Sequence, residues 1–120
     1  MTARLGRLLI YTKKLDEMIA FYSVHFGYRP HRKDNDRIVE LSPTGLGLPL
    51  LLHPASKGQK EGQVLVKLVF DVRDVDAFCT AAKVNGLVFG PIHHADGYSF
   101  ANAKDPSNNA ISVSSRAFVP

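Results

Sequence analysis

Tryptophan is absent from the 120-residue chain, cysteine occurs once and methionine twice. The single cysteine, Cys79, excludes an intrachain disulfide framework. Long apolar runs are missing as well. The stretch LLIY is too short for a secretory core and is followed almost at once by Lys13 and Lys14, and no segment approaches membrane-spanning length. A cytoplasmic protein with no membrane partner is therefore expected. Neither sign of charge dominates, since 15 Lys and Arg face 11 Asp and Glu, for a net charge of +4. The densest basic cluster, Arg29, Arg32, Lys33 and Arg37, is interrupted by Asp34 and Asp36. With no stacking-aromatic motif beside it, nucleic acid is not an expected partner. A mild preference for small anions fits the charge better.

What is present is a pattern that occurs twice. RLLIYT reads as a strand, and LDEMIAFYSVHFGY places Leu15, Met18, Ile19, Tyr22 and Phe26 at helical spacing, with Asp16 and Glu17 in the first turn and Gly27 as the stop. The following stretch to Ala55 is cut by Asp-Asn-Asp and Pro-Thr-Gly-Leu-Gly into three short extended segments. SKGQKEGQ, residues 56–63, reads as a polar linker. VLVKLVFDV is then a strand, and Asp74 caps a helix with Val75, Phe78, Cys79 and Ala82 on one face, ended by Gly86. LVFGPIHHA, YSFANA and AISVSS supply three more strands. The last alternates, with Ser112 and Ser114 on one face and Ile111 and Val113 on the other.

A shift of 60 residues superposes the two halves, setting Arg7 on Lys67, Ile10 on Phe70 and Leu15 on Val75, while Gly27 falls one residue from Gly86. Such a repeat predicts a duplicated supersecondary unit. The expected fold is α+β in one domain: two βαβββ units, at 4–55 and 64–116, forming curled mixed sheets around a concave cavity with the helices outside. A concave sheet face is a natural small-molecule pocket.

The first strand-helix, the second strand-helix FDVRDVDAFCTAAKVNGLVFGP and the ending DPSNNAISV resemble the vicinal oxygen chelate superfamily of glyoxalases, bleomycin-resistance proteins and extradiol dioxygenases. The resemblance spans Leu5 to Ser115 and implies a homodimer. It also implies a divalent metal, held by His, Glu or Gln on the first and last strands of each unit, that stabilises an oxyanion. On this chain those positions fall on Arg7, Lys67, Ser112 and Leu52, with Leu51 as the alternative to Leu52. None is an ordinary metal ligand, so no cofactor is expected.

Arg7 and Lys67 are open to two readings: ion-pair partners of Glu40 and Asp71, or anchors for an anionic ligand. Tyr98 and Phe100 stand either in the core or against a planar ligand. His53, alone or with one member of the His93-His94 pair, is the remaining candidate for ligand or metal contact, and Cys79 reads as inert. The function expected is metal-independent binding of a small, anionic or aromatic molecule through Arg7, Lys67, Ser112, Leu52, Tyr98, Phe100 and His53. The alternative is a lyase, isomerase or dioxygenase that stabilises an oxyanion with Arg7 and Lys67 or with a metal at displaced histidines.

Overall fold

A computed structural model describes residues 1–120, which divide into two compact units, Met1–Glu61 and Gly62–Pro120. In the first, strand β1 (Leu8–Thr12) leads to helix α1 (Leu15–Phe26), then β2 (Arg29–His31), β3 (Val39–Ser42) and β4 (Leu50–Pro54). Their order in the sheet is β1-β4-β3-β2, with β4 parallel to β1 and the other pairs antiparallel. The second unit repeats this plan: β5 (Lys67–Asp71), α2 (Val75–Val84), β6 (His93–His94), β7 (Ser99–Lys104) and β8 (Ala110–Ser114), in the order β5-β8-β7-β6. The chain is thus α+β and built from two βαβββ units.

Local chemistry explains the elements. The Thr12 hydroxyl at the end of β1 accepts a hydrogen bond from the Lys14 amide at 2.9 Å, which opens α1. Gly27, at φ +70°, closes the helix in the left-handed region, where its amide reaches the Ser23 carbonyl. In α2 the Asp74 carboxylate accepts from the Ala77 amide at 3.0 Å and satisfies one of the helix's free N–H groups. No helix is long and apolar enough to cross a membrane.

Each sheet turns one face to its helix. In the first unit Met18 and Tyr22 of α1 are buried with Val39, Leu41, Leu50 and Leu52. In the second, Val75 and Ala82 of α2 are buried with Ala101, Ile111 and Val113. One expected strand is shorter than the apolar pattern of LVFGPIHHA implies: only His93–His94 pairs in the ladder. Pro91 has no N–H to give a sheet, and the Gly90 amide is engaged instead with the Asn102 carbonyl at 2.9 Å.

The turn before β8 is tightly specified. The buried Asp105 carboxylate accepts from the backbone amides of Ser107 and Asn109, each at 2.9 Å, and from the Asn109 side-chain amide. Asn108 takes φ +66°, and Gly62 approaches it so closely that a Cβ there would lie 2.9 Å from the Asn108 carbonyl oxygen. Only glycine fits that approach.

Candidate functional site

Strand register determines which side chains share a face, because laterally paired residues point the same way and successive residues alternate. In the first unit Leu8, Ile10, Leu50, Leu52, Val39 and Leu41 form the helix-facing set. The opposite face carries Leu9, Tyr11, Leu51, His53 and Glu40. Arg7, just before β1, sends its side chain over this open face to Glu40, with Nε 3.4 Å from Oε1.

In the second unit the helix-facing set is Leu68, Phe70, Ile111, Val113, Ala101 and Ala103. Lys67, Val69, Asp71, Ser112, Ser114, Asn102, Phe100 and His93 share the open face. The Lys67 Nζ donates to Asn102 Oδ1 at 2.9 Å. Ser112 is paired between Val69 and Asn102 and is recessed beneath its larger neighbours at 3% exposure. Its hydroxyl donates to the Val113 carbonyl at 3.4 Å.

The registers also correct one expected site residue. Leu8 pairs with Leu50, 42 residues on, whereas Lys67 pairs with Ala110, 43 residues on. The shift of 60 that aligns β1 with β5 therefore becomes 61 between β4 and β8. The counterpart of Ser112 is Leu51, and Leu52 belongs to the core with no exposed surface. The period of two turns this one-residue difference into a change of face.

The two units then show the same construction. A cation at the start of the first strand crosses the closing strand to a polar acceptor on the third: Arg7 over Leu51 to Glu40, and Lys67 over Ser112 to Asn102. Glu40 is the partner expected for Arg7, but the acceptor for Lys67 is Asn102 rather than Asp71. Asn102 was legible in the sequence, since it lies two residues from Phe100 in YSFANA and so shares its face.

Aromatic groups flank the second device. The Phe100 ring lies 5.0 Å from the His93 ring at 30° and 6.3 Å from Tyr98 at 33°. Tyr98 is already engaged: the Arg116 guanidinium lies 5.2 Å from its ring centroid and donates to its hydroxyl at 2.9 Å. Phe100 is half-buried between His93 and Tyr98. His53 stands on the other unit's open face, edge-on to Tyr11 at 5.3 Å, with Nδ1 2.8 Å from the Pro54 carbonyl oxygen. Cys79 is half-buried, and desolvation aided by the nearby Asp76 charge pushes its thiol pKa up, away from a nucleophile.

These residues do not fit a divalent cation. Arg7 and Lys67 only donate, Leu51 has no ligating atom, and the Ser112 hydroxyl is neutral. No three His, Cys, Asp or Glu side chains come together where they could hold a metal ion.

Comparison with known proteins agrees with the fold. TnmS3, an antibiotic binding protein from Streptomyces sp. CB03234, superposes with a TM-score of 0.76 at 18% identity, covering 93% of this chain and 94% of that one. Lactoylglutathione lyase from Agrobacterium tumefaciens gives 0.70 at 20% identity, covering 94% and 93%. The fosfomycin resistance protein FosX from Listeria monocytogenes gives 0.75 at 16%, covering 95% and 93%. No curated protein sequence matches the chain. The family model for the Glyoxalase/Bleomycin resistance protein/Dioxygenase superfamily matches residues 4–113, nearly the whole repeat. The chain belongs to that superfamily.

Proposed function

We propose that this protein binds a small, flat, anionic molecule on the open face of its second unit, without a metal ion. The observation that carries the reading is the difference in acceptors. Glu40 neutralises Arg7, whereas Asn102 is a neutral amide that orients the Lys67 ammonium and leaves its charge available. An amide-held lysine beside a recessed serine and an aromatic ring offers charge, room and a stacking surface to one ligand.

In this reading Lys67 anchors the anionic group, Ser112 forms the floor and Phe100 stacks on the ring, with Tyr98 beside it. The apolar run Val64, Leu65 and Val66, exposed ahead of β5, supports a homodimer that covers it, which native mass spectrometry reads directly.

The test is calorimetric titration with 2-naphthoate and its neutral analogue 2-naphthamide, with and without chelator. The expected result is that the acid binds about tenfold or more tightly than the amide, that chelator changes nothing, and that Lys67→Ala removes the preference. Equal binding of the two, or binding that requires an added divalent ion, overturns the reading.

A further inference from the structure

An open depression of about 400 Å³ lies in the Gly62–Pro120 unit and is lined by Asp96, Tyr98, Arg116 and Val119. That volume falls within the range of small-molecule sites. Its walls are fixed from two sides. The Asp96-Gly97 turn joins β6 to β7, closed by the Ala95 amide on the Tyr98 carbonyl at 2.9 Å, with Gly97 at φ +81°. The other wall is the short 3₁₀ helix Arg116–Phe118 that follows β8. Ser115 ties it to the start of β7, its amide donating to the Ser99 carbonyl and its hydroxyl accepting from the Ser99 amide, and the Arg73 guanidinium lies 4.2 Å from the Phe118 ring centroid.

Within this frame Arg116 is held in place. Its amide donates to the Ser114 hydroxyl, one guanidinium N–H donates to the Tyr98 hydroxyl, and the guanidinium carbon lies 5.2 Å from the Tyr98 ring centroid. A guanidinium has five N–H donors, so most stay available for a carboxylate. Asp96 carries the opposite charge on the same rim, yet neither residue enters the chain's ion pairs, Arg7–Glu40 and Arg32–Asp16. Val119 adds an apolar wall.

The geometry points to a binding site for a small zwitterion, an α-amino acid with an apolar side chain, in this depression. Arg116 takes the carboxylate, Asp96 takes the ammonium, and Val119 with the exposed edge of Tyr98 meets the side chain. Tyr98 acts as a positioning residue through Arg116. The site shares Tyr98 but no charged residue with the Lys67 face, so losing the Lys67 anchor does not remove it.

The experiment is amide-resolved NMR titration of the full chain with L-phenylalanine, phenylacetate and phenethylamine at millimolar concentrations. L-phenylalanine is expected to shift the amides of Asp96, Gly97 and Val119, and to bind about tenfold more tightly than either singly charged analogue. Arg116→Gln and Asp96→Asn are each expected to lose about tenfold in affinity, Arg116→Lys to recover part of it, and Tyr98→Phe to lose about threefold. Lys67→Ala leaves the affinity unchanged. Phenylacetate binding as tightly as L-phenylalanine, an Asp96→Asn variant with full affinity, or no shifts at those three amides overturns the proposal.

Discussion

The open faces of the two units use one design with opposite electrostatic results. Arg7 and Lys67 occupy equivalent positions, and both reach across a closing strand to a side chain on the third strand. Where that acceptor is Glu40 the charge is cancelled, and the surroundings are Leu9, Tyr11 and Leu51. Where it is Asn102 the charge persists above a recessed serine. A duplicated scaffold can therefore set the charge of each open face by changing one acceptor.

The largest effect that would break this picture concerns the register. Leu52→Ala is expected to destabilise the protein by about 3 kcal/mol, because it empties a closed core position, whereas Leu51→Ala on the open face costs under about 1 kcal/mol. Chemical denaturation of both variants checks the assignment, and equal losses would remove the 61-residue correspondence. Next, Asp105→Ala deletes a buried carboxylate with several hydrogen bonds, an expected loss of about 2–3 kcal/mol by the same measurement.

Two exchanges test the electrostatic contrast itself. Asn102→Asp gives Lys67 a carboxylate partner and is expected to weaken 2-naphthoate binding about tenfold in calorimetry. Glu40→Gln does the reverse for Arg7 and is expected to raise anion affinity of the first unit about two- to threefold, a gain that fades with added salt. The exposed Arg7–Glu40 pair contributes little to stability, so this variant melts close to the parent.

The smallest effect is a pH dependence. Burial lowers the His25 pKa below its ordinary value of 6.5. The unfolded chain then binds the proton more readily than the folded one, so stability is fully present above pH 6.5 and declines as pH falls below it. Thermal melts from pH 7.5 to 5.5 are expected to show a decline that shrinks in His25→Gln.

Much of this architecture is readable from residues alone. The helices are announced by spacing and by stops such as Gly27, and the parallel pairing follows once the repeat is recognised. The faces of β8 are equally legible, since Ile111 and Val113 alternate with serines. β4 resists because Leu50, Leu51 and Leu52 are chemically alike, so composition cannot say which leucine faces inward, and only its pairing with β1 decides. The Asp96–Arg116 depression resists for another reason: its walls are 20 residues apart and meet through hydrogen bonds between Ser99 and Ser115.

The extra residue between β5 and β8 has a consequence for how the two halves can drift. With β4 and β8 set 60 apart, a substitution profile for one strand predicts the other in antiphase, so tolerant sites seem forbidden and forbidden ones tolerant. In step at 61, Leu51 and Ser112 become the matched pair on the open face, while Leu52 and Val113 are matched in the core. Mutagenesis libraries that vary position 51 would sample new surface, whereas the recessed position 112 admits only small side chains.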